Sequence, residues 1–346
     1  MQGASEEPPG WSELLEEFRR LGGTVENVCM RRGAHGRGLF ALDPARPVQL
    51  HTPPNLLLPV EDAAFKDGRF HISPSAKMGS AEKIWLEHYM NEFSWGRGGR
   101  EEALATVQGM HSLPMRIREI LARTFDIGFY VLEPSEDLVQ QHFLASRVIT
   151  YQNCAVIMPM IELVNHGRAP GYDCTNGIAV RGNFADEVLV NYSDQDAFGC
   201  FASWGIVCHR GLALSIPTVV WAASGEIAVS CDPDDGQLVE IRLQNPIPMK
   251  LPRVTIDGSR IRLSFLLLGM KGFPRIPKGI FRRILRDAGR QQDDEAFEMA
   301  QYANRAAFLG LLNDLEGFDG PLVGSLRSVC LMQLDALNQC FGVRPI

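Results

Sequence analysis

The stretch Ile161-Glu162-Leu163-Val164-Asn165-His166 is an apolar run that closes on two hydrogen-bonding side chains, and its companions elsewhere in the chain decide the fold. It reads as a strand with Asn165 and His166 at its terminus. Alone, the pair is weak: Asn suits turns for local backbone reasons, and a single His is usually a satisfied structural residue. Upstream lies Arg32-Gly33-Ala34-His35-Gly36-Arg37-Gly38-Leu39-Phe40-Ala41. Glycines on either side of Arg37 let a ligand approach the backbone with no Cβ in the way, although the same residues also suit a β-turn between two strands. Downstream, Ala185-Asp186-Glu187-Val188-Leu189-Val190-Asn191-Tyr192 reads as an acidic turn, a short buried strand and an aromatic hydroxyl at its end, with Trp204-Gly205-Ile206-Val207 beyond.

The flanking pattern is segregated. Trp11, Leu14, Leu15 and Phe18 recur at helical spacing before Gly22-Gly23, so a short amphipathic helix opens the chain. Short apolar runs broken by Gly and Pro predict strands from Thr24 to about Pro59. Helical signals run from about Ser80 to Phe125 with a Gly-rich break at Trp95 to Gly99, and Ser135 followed by Glu136-Asp137 predicts an N-cap. Strands are expected at Ile157-Met158, Ile161–Val164, Val188–Val190 and Gly205–Val207, then within Leu214–Ser230, Leu238–Leu243 and Val254–Arg262. A helical tail is expected from about Leu263, with helices carrying Phe297, Phe308 and Leu312, then Leu326, Val329, Leu334, Leu337 and Phe341. Strands, a helical insertion, more strands and a helical tail argue an α+β fold.

Composition bounds the function. With 346 residues, 45% hydrophobic and 22% charged, the chain can bury a sizeable core. No apolar run approaches the roughly 20 residues of a membrane span, and the acidic, Pro-rich start from Met1 to Gly10 lacks signal-peptide features, so a soluble cytoplasmic protein is expected. A net charge of −7 argues against a nucleic-acid-coating protein. Eight scattered cysteines show neither C-x-x-C nor zinc spacing and read as reduced thiols, with no structural metal. Gly36-Arg37-Gly38 lacks the third dinucleotide glycine, and no P-loop occurs.

Taken in order, the three segments resemble the SET-domain protein methyltransferases. Gly36-Arg37-Gly38 with Leu39-Phe40-Ala41 is similar to that family's G-x-G motif, Ile161–His166 to its D-L-x-N-H strand, and Asp186–Tyr192 to its acidic strand ending in Tyr. Trp204-Gly205-Ile206 stands where many members have Y-G-F. Ser146-Arg147 is similar to a Ser-Arg pair of the Rubisco large-subunit methyltransferase-like branch, whose members carry a helical insertion and a helical substrate-binding lobe. The resemblance implies a SET domain over residues 1–210, with a helical insertion at about 62–140, and a mainly helical lobe over 211–346. Glu162 replaces the usual Asp, Trp204 the usual Tyr, and Ala185 the usual Gly.

The resemblance further implies S-adenosylmethionine held by His35, Gly36, Arg37 and Gly38, by Asn165 and His166, and by Arg147 on the cofactor carboxylate, a role suited to a guanidinium fork. It implies Tyr192 as the catalytic residue orienting the amine, with Glu162, Trp204 and Arg147 on the substrate side. The expected activity is lysine N-methylation of a nonhistone protein docked by the C-terminal lobe, or histidine methylation by the same chemistry. An inactive SET-fold binding module is the alternative, favoured by Trp204. A thiol hydrolase built on Cys154 or Cys174 with His166 and Asn165 lacks any sequence feature that would activate the thiol. Eleven Lys and Arg between Lys250 and Arg290 against Asp257 and Asp287 read as a docking surface for an acidic protein or an RNA-bearing particle, or as a solvated face.

Overall fold

The computed structural model describes residues 8–167, 169–223, 225–232, 236–241 and 247–341. The first residues of the acidic start (1–7) and the end of the strand expected at Leu238–Leu243 lie outside them. Helices α1 (Trp11–Arg20), α2 (Ser80–Tyr89), α3 (Arg100–His111), α4 (Met115–Thr124), α5 (Glu136–Ala145), α6 (Ala197–Trp204), α7 (Ile276–Asp287), α8 (Asp294–Asp314) and α9 (Pro321–Cys340) occur with short, mainly antiparallel strands, an α+β composition. Among the described residues, no helix is long and apolar enough to cross a membrane.

The chain divides into two compact units, Met1–Val107 with Pro134–Tyr192, and Gln108–Glu133 with Ser193–Ile346. The division falls at Tyr192/Ser193, not at 210, and the middle of the insertion clusters with the second unit. Aromatic packing explains this: Phe125, just after α4, lies 4.5 Å from Phe198 and 5.3 Å from Phe308, ring centre to ring centre.

The first unit carries β1 (Thr24–Glu26), β2 (Val28–Gly33), β3 (Gly36–Ala41), β4 (Val48–Thr52), β5 (Leu58–Pro59), β6 (Ala63–Lys66), β7 (Arg69–Ile72), β8 (Val148–Tyr151), β9 (Cys154–Ile157), β10 (Asn165–His166), β11 (Ile178–Gly182) and β12 (Leu189–Val190). They form small sheets: β1-β4-β11, β5-β9-β8, the hairpins β2-β3 and β6-β7, and the parallel pair β10-β12. The apolar stripe of α1 is buried as its spacing requires, with Phe18 stacked on Trp85 of α2 at 5.0 Å. The Gly-rich break is real: helical dihedrals fail at Arg97 and Gly98, where φ is +90°. The insertion opens with the β6-β7 hairpin before turning helical. Ser135 caps α5 by accepting the Leu138 N–H at 3.1 Å.

The strand expected over Ile161–Val164 is instead a 3₁₀ turn at Ile161–Leu163, with only Asn165-His166 extended. Leu163 and Val164 N–H groups donate to Met160 and Ile161 carbonyls. All four residues of the run are buried, Glu162 included, so it has no solvent face to set a two-residue alternation.

The second unit carries β13 (Leu212–Leu214), β14 (Thr218–Ala222), β15 (Gly225–Val229), β16 (Gly236–Ile241), β17 (Ile247–Pro252), β18 (Val254–Asp257), β19 (Arg260–Leu263) and β20 (Leu267–Met270). The sheet runs β14-β15-β19-β18, beside the pairs β13-β20 and β16-β17. Its first half is therefore strand, and helices α7, α8 and α9 follow. The apolar run Leu263–Met270 does not open a helix; it ends β19 and forms β20, entirely buried. A short continuous apolar run has no period to distinguish the two. Gly269 fits there because a Cβ would lie 2.6 Å from the Ala336 backbone of α9. Gly205–Val207 is not a strand either: Gly205, φ +69°, is the left-handed C-cap of α6.

Candidate active site

The site of the first unit is assembled from three distant segments. In β2-β3, Gly33 pairs with Gly36 across a two-residue turn at Ala34-His35, with Gly36 at φ +93°. The turn reading and the close-approach reading thus describe one object. Strand β3 continues onto the acidic segment: the Ala41 N–H donates to the Asp186 carbonyl at 2.8 Å, and the Val188 N–H to the Leu39 carbonyl at 2.8 Å. Arg31 forms an ion pair with Asp186, tying hairpin to turn at the surface.

Asn165 joins the segments. Its side-chain amide donates to the Arg37 carbonyl at 3.1 Å and to Glu187 Oε1 at 2.8 Å. Gly38 is required beneath it, since a Cβ there would lie 2.6 Å from Asn165 Nδ2 and 3.1 Å from Glu187 Oε1. The other Glu187 oxygen lies 2.7 Å from His35 Nδ1. Parallel pairing of β10 with β12 sets Asn165 opposite Leu189 and His166 opposite Val190. Tyr192 follows directly: its backbone N–H donates to His166 Nδ1 at 3.2 Å, and its hydroxyl donates to the Val164 carbonyl at 2.7 Å. The first of these bonds assigns a neutral His166 its proton on Nε2. The two rings meet edge to face at 5.2 Å. Burial pushes the Tyr192 phenol well above its ordinary value, so it stays protonated at physiological pH.

Beside this lies a buried ionic cluster. Arg147, expected on a cofactor carboxylate, is engaged within the protein: Nε donates to Glu162 Oε2 at 3.0 Å, one terminal nitrogen donates to Ser146 Oγ at 2.8 Å, and the other lies 3.5 Å from Glu102. The guanidinium also stacks over Phe143 at 4.2 Å. Glu162 is fully enclosed and accepts the Tyr89 hydroxyl as well. Its extra methylene relative to Asp lets one carboxylate reach both partners. Arg37 has a buried side chain that donates to the Phe93 and Ser94 carbonyls at 2.6 and 2.9 Å, with Glu102 at 3.7 Å. Desolvation lowers the Arg37 pKa, and Arg147 acts in the same direction, while Glu162 and Glu102 oppose. Two guanidinium groups against two carboxylates leave the cluster near neutrality, the condition under which buried charges persist.

Trp204 is the last residue of α6, in the second unit. The structure therefore brings together His35, Gly36, Arg37, Gly38, Arg147, Glu162, Asn165, His166 and Tyr192 within the first unit. Sequence reasoning assigned no role to Tyr89, Glu102 or Glu187. Glu187 had a signal, the acidic pair before the Tyr strand; Tyr89 and Glu102 sit on insertion helices where nothing local distinguishes them. The thiol alternative gains nothing, because burial and then Asp173 push the Cys174 thiol up, away from nucleophilic readiness.

No protein-family model and no curated protein matches the sequence. Among solved structures, the chain is similar to the SET domain of LSMT bound to lysine and AdoHcy, at 13% identity and TM-score 0.40. It is also similar to Rubisco LSMT bound to AdoMet, at 14% and 0.42, and to Rubisco LSMT bound to sinefungin and monomethyllysine, at 13% and 0.38. Each alignment covers 97% of this chain and 91% of the other.

Proposed function

We propose that the chain is a SET-type, S-adenosylmethionine-dependent protein N-methyltransferase of the Rubisco large-subunit methyltransferase-like branch. The observation that carries this is the convergence on Asn165 of the Gly36–Gly38 turn, the acidic turn and the strand leading to Tyr192. A surface turn has no need of a glycine packed under an Asn amide, whereas a cofactor cradle does.

The residues fit the cofactor. Backbone from His35 to Gly38 would line it, and Asn165, whose amide nitrogen is already used, keeps its Oδ1 to accept from the cofactor's ammonium group. The His166 backbone stands beside it. Arg147 could take a cofactor carboxylate by exchanging Glu102, its longer contact, while Glu162 holds the guanidinium in place. When bound, the cofactor supplies an electrophilic methyl group on a sulfonium.

Tyr192 donates its own proton to Val164, and the lone pairs of its oxygen would accept from a substrate N–H and aim the nitrogen lone pair. That nitrogen must be neutral to attack; a desolvated setting favours its neutral form, so no dedicated base is needed. Near-attack placement at about 3 to 3.5 Å is the main requirement. The substrate is a lysine of a nonhistone protein held by the second unit, which carries Trp204, and the setting is the cytoplasm; Glu162, enclosed and engaged by Tyr89 and Arg147, is not available to it. The Trp204 replacement favours a second reading, a SET-fold module that binds a partner without turnover.

Incubating cell lysate proteins with enzyme and tritiated S-adenosylmethionine tests the first reading. Label on lysine that depends on Tyr192 supports it; label on histidine moves the target residue. Cofactor binding without any label favours the module.

A further inference from the structure

The second unit holds a cleft of about 720 Å³ that the reading above leaves unused. One wall is β18, the edge strand of the sheet β14-β15-β19-β18. The other is α7, through Arg283, Ile284, Asp287 and Ala288, and the β16-β17 hairpin closes one side. Apolar side chains line it on a strand that is otherwise solvent-facing: Val254 is 37% exposed and Ile256 49%.

The ladder on the inner side of β18 fixes which backbone groups face outward. The Arg253 N–H donates to Ser264 Oγ at 2.9 Å, and the Ser264 N–H to the Arg253 carbonyl at 3.1 Å. Thr255 then pairs with Arg262 and Asp257 with Arg260. Alternation in an antiparallel pair turns the Thr255 and Asp257 backbone groups toward β19, and those of Val254 and Ile256 away from it. Val254 and Ile256 have no other backbone hydrogen bond among the described residues. An exposed edge with unpaired donors and acceptors accepts a further strand unless something blocks it.

Charge selects the occupant. Five of the eleven cations of the Lys250–Arg290 segment pair elsewhere in the unit: Lys250 with Asp194, Arg260 with Glu226, Lys271 with Asp335, Lys278 with Glu298 and Arg282 with Asp294. At the cleft the balance differs. Arg283 and Arg286 both pair with Asp287, and among the described residues Arg290 donates to the uncharged Gly258 carbonyl. Of the charged residues, Arg253, Arg283 and Asp287 line the cleft, two guanidinium groups to one carboxylate.

We infer that β18 and α7 form a docking site for an extended peptide with alternating apolar and acidic residues, added as a fifth strand on the β18 edge. Apolar side chains of the peptide enter the cleft over Val254, Ile256 and Ile284, and its carboxylates meet the α7 arginines. This rests on the reading of the second unit as the lobe that holds a protein.

The test is fluorescence anisotropy on the full chain, without cofactor, using fluorescein-labelled Gly-Glu-Val-Asp-Ile-Glu-Val-Asp-Gly. Binding in the tens of micromolar range at low salt is expected, weakening with salt. Ile256→Pro removes one outward N–H on an edge strand, where proline is tolerated, and binding should fall at least tenfold. A peptide N-methylated at alternate residues should lose binding similarly and leaves the protein untouched, so a folding defect in the variant cannot decide the matter. Arg283→Glu with Arg286→Glu should also abolish binding. The inference is overturned by no binding, by undiminished binding both of the peptide to Ile256→Pro and of the N-methylated peptide to the natural chain, by equal binding of a peptide with lysine in place of its acidic residues or of oligouridine, or by a dimer in sedimentation that Ile256→Pro dissociates. Because no methyl transfer is read, failure here leaves the proposed activity standing, and failure of cofactor binding leaves this site standing.

Discussion

At the residue scale the account rests on a few atoms. Gly38 has room for hydrogen only, so Gly38→Ala drives a methyl group against Asn165 and Glu187. Cofactor affinity should fall at least about tenfold, roughly 1.4 kcal/mol, by calorimetric titration, and unchanged affinity would remove Gly38 from the cradle. Tyr192→Phe deletes a hydroxyl that is anchored on Val164 and kept protonated by burial. Single-turnover methyl transfer should slow by about 10² to 10³, the usual consequence of losing one preorganised polar group, with cofactor binding retained. Full turnover would make Tyr192 a packing residue. Glu162 is fully enclosed, and its carboxylate is satisfied by Tyr89 and Arg147.

At the element scale, α5 carries a pH dependence. His142 in its last turn should be favoured as a cation by the helix dipole, yet burial, and secondarily Arg147, lower its pKa to about 4. The sign follows from proton counting. Between the unfolded value near 6.5 and the folded value, the unfolded chain binds more protons, so stability declines as pH falls through that window and levels off below it. Denaturant titrations from pH 7 to 4 should show His142→Gln flattening that decline, by on the order of 1 to 3 kcal/mol at the acid end. An unchanged slope would contradict the assignment. Elements with a clear period or cap were legible in sequence: α1 by Trp11, Leu14, Leu15 and Phe18, α5 by Ser135, and α8 and α9 by their apolar spacing. Elements buried on every side were not. Ile161–Val164 and Leu263–Met270 present no polar face, so tertiary contacts alone choose a 3₁₀ turn for one and a strand for the other. The glycine turn, Asn165-His166 and Tyr192 were legible as segments, but the Glu187 bridge among them depends on a pairing that no local pattern encodes.

At the scale of the whole molecule, the thiols are divided between core and surface. Cys200, Cys208, Cys330 and Cys340 are buried and in no disulfide, whereas Cys174 and Cys231 are exposed. A thiol-reactive chromophore should therefore find four cysteines slow in the native protein and all eight accessible in denaturant. Rapid native labelling of the four would contradict the packing of the second unit. Of the basic segment, read from sequence as a docking surface or a solvated face, five cations form ion pairs with acidic residues of the same unit. The most direct test of the central claim remains calorimetric titration with S-adenosylmethionine, comparing the natural chain with Asn165→Ala. Micromolar binding by the former, lost in the latter, is the predicted result. Absence of binding by the natural chain would contradict the account and leave a fold that binds a partner without methyl transfer.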